Sequence, residues 1–209
     1  MKFIFLLFKL VIAYKNPCIV FYTGGSNIMS HLIYSDFLSK LEDVDVFRIP
    51  FQLDKNKDRF FKDLKSKYSS VNLLAHSSGC TRAVNNCNNY VDNIILLDPV
   101  KTFFWDDTKD LNFLDNILIV NAEKSYKWSI IPPFIPFIPF FKVDLKDLNI
   151  YKSKIKILVI NNYGHSDIID KPYRDFMHYS RLSLGNNNRN SIETYHKLLV
   201  SIIIDYIIK

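Results

Sequence analysis

Val71-Asn72-Leu73-Leu74-Ala75-His76-Ser77-Ser78-Gly79 contains the transition that decides the fold. A short apolar run stops at Ala75, and a helix-compatible segment with Arg82, Ala83 and Val84 begins directly after Gly79. A strand that passes into a helix through so short a link needs a sharp, strained turn. A serine at its tip is lifted clear of the sheet, which is the geometry of a nucleophile elbow. Strand and helix then pass very close to each other, so the residues two before and two after the serine must be small. Here they are Ala75 and Gly79, with alanine in place of the first glycine of G-x-S-x-G.

The surrounding chain is long enough to support such a turn. Its 209 residues match one ordinary domain with a substantial core, and 48% are apolar and 15% aromatic. That composition excludes a disordered chain. The net charge of +6 is spread along the sequence, with acidic residues interleaved through 55–67 and 142–156. No basic block marks a nucleic-acid site, and no nucleic-acid partner is expected. Three cysteines, Cys18, Cys80 and Cys87, form no disulfide framework, and no His/Cys cluster has zinc-ligand spacing. A cytoplasmic setting fits that usage. The apolar start, residues 1–16, reads as a first core element. Its alternative is a signal or anchor: Met1-Lys2 precedes the run 3–14, but Lys9 interrupts it and the run is too short to span a membrane.

Outward from the elbow, apolar runs recur at 18–22, 44–49, 71–74, 94–97, 117–120 and 155–160. Most are continuous, as in strands buried on both faces. Helical spacing lies between and after them, over 30–41, 58–68, 79–90 and 191–208. Strands alternating with helices predict an α/β fold: one domain, a three-layer sandwich around a mostly parallel sheet of about six strands, helices on both faces. Right-handed crossovers then bring all strand C-termini to one edge, where ligands bind in such sheets.

What each strand delivers at that edge carries the chemistry. The first leads into Thr23-Gly24-Gly25, where glycines let backbone N–H groups turn toward an anion; Gly25 is the candidate donor. The elbow strand delivers Ser77, with the Ser78 N–H beside it at a helix start. The next delivers Asp98, in Leu97-Asp98-Pro99-Val100, and the one after delivers Glu123. The last delivers His165, in Tyr163-Gly164-His165-Ser166-Asp167. A serine hydroxyl is a poor nucleophile until a histidine takes its proton. The histidine in turn needs a carboxylate to fix its tautomer. The order serine, acid, histidine supplies all three, with Asp98 the favoured acid and Glu123 the alternative, and predicts Ser77 Oγ within hydrogen-bond reach of His165. His76 and Tyr163 read as packing or supporting groups, and His31, His178 and His196 as incidental.

These motifs resemble the α/β-hydrolase superfamily, and within it the chlorophyllase-like, PET-hydrolase-like and platelet-activating-factor-acetylhydrolase-like esterases. The resemblance covers residues 18–170. It implies hydrolysis of a carboxylic ester without metal or organic cofactor, through Ser77, His165 and a carboxylate, with the Gly25 and Ser78 amides as oxyanion donors. The chlorophyllase-like pattern points to Asp98 and the PET-hydrolase-like pattern to Glu123. Thr23 stands where the family has a histidine, and most of the N-terminal strands of the full fold are missing.

One segment interrupts the strand–helix alternation. Residues 124–150 read as an insertion whose centre, Ile130-Ile131-Pro132-Pro133-Phe134-Ile135-Pro136-Phe137-Ile138-Pro139-Phe140-Phe141, is apolar and rich in proline, which excludes both helix and central strand. Beside a catalytic serine it would form an acyl-binding wall, a lid or a membrane-surface contact, with Phe134, Phe137 and Phe140 as substrate-binding residues; otherwise it packs over the core. The expected partner is a small-molecule or lipid-like ester, and nothing in the sequence sets an oligomeric state. The rival readings are an inactive scaffold that binds a lipid or protein, and a thioesterase or peptidase on the same three residues.

Overall fold

The computed structural model describes residues 15–25, 30–49, 56–127, 141–143, 145–179, 185–186 and 188–208. Strands β1 (Cys18–Tyr22), β2 (Asp45–Arg48), β3 (Val71–His76), β4 (Asn93–Leu97), β6 (Asn116–Ala122) and β8 (Ile155–Ile160) form one sheet in the order β2-β1-β3-β4-β6-β8. Every neighbouring pair is parallel. Helices α1 (Ser35–Leu38), α2 (Lys57–Lys67), α3 (Gly79–Asn86), α4 (Lys171–Tyr179) and α5 (Arg189–Ile207) occupy the connections and the C-terminal part. This is the α/β architecture that the alternating pattern predicts.

The continuous apolar runs follow from burial on both faces. Alternate residues of each strand enter two separate cores. Val20, Leu73, Ile94 and Ile117 pack toward α2 and α3, with Phe61 and Val84. Ile19, Leu74, Ile95 and Leu118 pack toward α1 and α5, with Phe37 and Leu199. The long closing helix α5 buries Ile192, Tyr195, Leu199, Ile203 and Ile207, the three-and-four spacing of a helix with one apolar stripe. Its start is capped by Asn188, whose side chain accepts from the Asn190 N–H at 3.0 Å. Among the described residues no helix is long and apolar enough to cross a membrane.

Four details differ from the sequence expectation. The helix expected over 30–41 is a 3-10 turn, His31–Tyr34, followed by the four-residue α1. The helix after the elbow ends at Asn86, four residues early, with Cys87 as its extended C-cap. β8 is an edge strand, so its face is only half covered and Ile157 and Val159 are exposed. A two-stranded antiparallel ribbon, β5 (Val100–Lys101) with β7 (Phe141–Lys142), stands apart from the main sheet. The expectations for residues 1–14 and for Phe134, Phe137 and Phe140 lie outside the described residues.

Candidate active site

The parallel register brings the ends of β3 and β4 side by side, and neighbouring strands hold each tip. The Ser77 N–H donates to the Leu97 carbonyl at 3.0 Å, and the Asp98 N–H to the Val120 carbonyl at 2.7 Å. Both residues leave their strands in the left-handed region, Ser77 at φ 57° and Asp98 at φ 46°. The Cys80 N–H returns to the Ser77 carbonyl at 3.1 Å, closing the turn into α3. A β-carbon on Gly79 would lie 2.2 Å from the Thr23 carbonyl oxygen, so only glycine fits there. Ala75 is fully buried between Tyr22 of β1 and Leu96 of β4. Its methyl group is accommodated in the core facing α2 and α3. The alanine variant of the elbow is sterically complete.

Three side chains meet above this edge. His165 Nε2 lies 2.8 Å from Ser77 Oγ, and His165 Nδ1 lies 3.3 Å from Asp98 Oδ2. A carboxylate facing Nδ1 assigns the proton to that nitrogen and leaves the Nε2 lone pair on the serine hydroxyl. Asp98 is itself held: Oδ1 accepts from the Ala122 N–H at 2.9 Å and Oδ2 from Ser125 Oγ at 2.5 Å. Glu123 is turned to another task. Its Oε2 accepts from the Asn162 N–H at 2.9 Å, and the Lys124 N–H donates to the Tyr163 carbonyl at 2.8 Å, bracing the exit of β8.

The turn after β1 lies against the elbow. A β-carbon on Gly24 would sit 3.4 Å from Ser77 Cβ and 2.9 Å from the Tyr34 hydroxyl. Gly25 follows, exposed and at φ 61°. Ser78 occupies the N-cap of α3 in helical geometry.

His76, which the sequence offers only as a supporting group, joins these parts. The Gly24 N–H donates to the Tyr34 hydroxyl at 3.1 Å, and that hydroxyl donates to His76 Nδ1 at 2.8 Å. His76 Nε2–H then donates to the His165 carbonyl at 3.1 Å, with the two imidazole rings 4.7 Å apart. Burial, and secondly the neighbouring His165, push the His76 pKa well below its ordinary value, so the ring is neutral. Only a tertiary contact 42 residues apart reveals this link; the sequence carries no local signal for it.

A second support lies behind His165. Asp167 is fully buried and accepts from the Gly164 N–H at 2.8 Å and the Asn186 N–H at 2.8 Å. Its pKa is raised, because desolvation outweighs those bonds. His178 Nε2 lies 3.4 Å from the same carboxylate. The Cys80 thiol, beneath the elbow, is pushed well up by burial and then by the Asp98 charge. It stays a thiol and packs as an apolar group. Among the described residues no group of three or more His, Cys, Asp or Glu could hold a metal ion.

No family model matches this chain, and no curated protein matches it. Among solved structures it is similar to a chain from Pectobacterium atrosepticum described as a "putative yden-like hydrolase". The identity is 12%, the match covers 87% of this chain and 90% of that one, and the TM-score is 0.43. Any functional reading therefore stands on the side-chain geometry at the sheet edge.

Proposed function

We propose that this protein is a serine hydrolase that cleaves carboxylic esters with an apolar acyl or alcohol group. The observation that carries the reading is the pair of contacts on one imidazole, 2.8 Å to Ser77 Oγ and 3.3 Å to Asp98 Oδ2. Ser77 Oγ attacks the ester carbonyl as His165 Nε2 takes its proton, and Asp98 stabilises the imidazolium. The Gly25 and Ser78 amides, at a glycine turn and a helix start, receive the developing oxyanion. His165 then protonates the departing alkoxide, and water repeats the sequence to release the acid. In this reading Asp98 is the acid and Glu123 a brace for the β8 turn.

Preference for an apolar substrate is supported by the chain path. Residues 128–140 join the turn that begins at Glu123 to β7, and β7 pairs with Val100–Lys101, two residues past Asp98. The described residues that flank the Pro/Phe/Ile segment, 123–127 and 141–142, thus belong to elements near the edge that holds the serine. Phe103 and Phe104, in the loop after β5, are 76% and 80% exposed, and add apolar surface next to that ribbon.

The test is covalent labelling with a fluorophosphonate probe on folded protein. Modification at Ser77, absent in Ser77→Ala, is expected. An unlabelled folded protein would mean a scaffold without catalysis. A panel of p-nitrophenyl esters, thioesters and peptides then ranks the acyl group transferred.

The His76 relay gives a separate expectation. Changing Tyr34 to Phe removes the hydroxyl that joins Gly24 to His76, and loosens the backbone carrying His165. We expect kcat to fall by about 10²-fold, the scale of an ångström-level misplacement, with KM little changed and Ser77 still reactive to the probe. Unaltered steady-state kinetics on a p-nitrophenyl ester would show that the relay is only structural.

A further inference from the structure

The helices that follow His165 bring together charges that the ester chemistry does not use. α4 and the start of α5 face the end of α1 across two adjoining clefts of about 360 and about 400 Å³. Lys171, Arg174 and Arg189 line both, and Lys40 lines the larger. Ser77, Asp98 and His165 line neither. Four cations thus converge on one concave surface, from α4, the start of α5 and the turn after α1.

Not all of that charge is neutralised locally. Lys171 pairs with Asp175 on its own helix, and Glu193 pairs with Lys197 at 2.9 Å, directed along α5. Asp36 and Glu193 line the larger cleft and Asp175 the smaller, so three carboxylates face the four cations and the lining stays net positive. Arg174 is the decisive residue. It is only 5% exposed, and among the described residues its Nε has no hydrogen-bond partner. A guanidinium is always charged, and a mostly buried one is costly unless negative charge reaches the part of it that lines the clefts. The nearby Asp167 carboxylate is a poor candidate for that partner. Its oxygens accept from the Gly164 and Asn186 N–H groups and face His178, and Arg174 acts on it only as a nearby charge.

We infer that this cleft is a binding site for a small phosphate- or carboxylate-bearing anion, separate from Ser77. A planar guanidinium presents parallel N–H donors that match two oxygens of either group. Arg189 and Lys40 supply charge from the sides. Arg189 opens the 19-residue α5, whose N-terminal dipole favours negative charge at that point. The Asn190 and Ser191 N–H groups are already taken by Asn188. The helix therefore contributes its field, while the arginines make the bonds. This inference does not depend on the reading of Ser77 as a nucleophile.

Isothermal titration calorimetry with inorganic phosphate, pyrophosphate and citrate, each at ionic strength matched with sodium chloride, tests it on the full chain. Saturable binding of one equivalent is expected for at least one probe, and the comparison of pyrophosphate with citrate separates phosphate from carboxylate selectivity. Arg189→Gln, an exposed position that leaves the core intact, should weaken binding about tenfold or more, the worth of one charged hydrogen bond. Arg174→Gln should do the same. Ser77→Ala should bind as the parent does. Heats that never saturate at matched ionic strength would overturn the inference. So would equal affinity in Arg189→Gln, or loss of binding in Ser77→Ala, which would place the anion at the elbow.

Discussion

Asp98→Asn is expected to lower kcat for ester hydrolysis by about 10⁴-fold, the loss seen when a triad carboxylate becomes an amide. The amide can present its NH₂ to His165 Nδ1, which holds the imidazole in the wrong tautomer and turns its Nε2 proton toward Ser77. In that tautomer Nε2 has no lone pair to take the serine proton. Glu123→Gln, measured beside it, is expected to stay within about tenfold of the parent, because an amide oxygen still accepts from the Asn162 N–H. The reverse ranking would move the acid to Glu123 and leave Asp98 as a backbone anchor for Ala122. Both variants keep side-chain volume, so matched thermal unfolding separates a chemical loss from a folding loss.

Gly79→Ala is expected to be the most damaging small substitution for stability. The new methyl carbon would lie 2.2 Å from the Thr23 carbonyl oxygen, 2.8 Å from the Thr23 carbonyl carbon and 3.0 Å from the Tyr22 oxygen. All three are backbone atoms of β1 and the turn that follows it. No side chain can rotate away, so the helix must leave the sheet or β1 must shift. Overpacking against fixed backbone falls at the upper end of the usual range, about 3 kcal/mol, equivalent to a fall in Tm of about 6–12 °C for a chain of this size. The displaced turn carries Gly24 and Gly25, so ester hydrolysis should drop as well. Ala75→Gly is the comparison. It removes one buried methyl without forcing any atom to move, and should cost about 1 kcal/mol. Equal Tm values for the two variants would mean that the close approach at Gly79 is relieved easily.

The sheet was legible because its strands are buried on both faces. A run such as Ile94-Ile95-Leu96-Leu97 has no polar position to expose and can serve only an interior strand. The same rule misleads at β8, whose Ile155–Ile160 is apolar apart from Lys156 yet lies at the sheet edge. Apolar content reports what a strand can tolerate, whereas the number of its neighbours is fixed by the rest of the chain. The ribbon of β5 and β7 was not legible, since two-residue strands carry no periodicity. At the sheet edge, chain order singled out Ser77, His165 and two candidate acids, Asp98 and Glu123, and the side chains of Ser77, Asp98 and His165 lie within reach of one another. Choosing between Asp98 and Glu123 required knowing which way each turns on leaving its strand, which depends on backbone angles that sequence spacing does not encode. Arg174 gave no signal at all: an arginine on a helix reads as solvent-facing until packing buries it.

The left-handed backbone at three strand exits sets stability against reactivity unequally. Ser77, Asp98 and Asn162 all hold positive φ, each at a cost of order 1 kcal/mol that glycine would not incur. At Asp98 the carboxylate recovers more than that through the Ala122 N–H, Ser125 and His165, so glycine brings no gain. At Asn162 the bond to Glu123 uses the backbone N–H and survives the exchange. Ser77 lies between the two: its side chain gains one hydrogen bond, which glycine would lose. Selection for heat resistance alone would therefore press first on Asn162, then on Ser77 and least on Asp98, so the three strand exits should differ in how readily glycine replaces them.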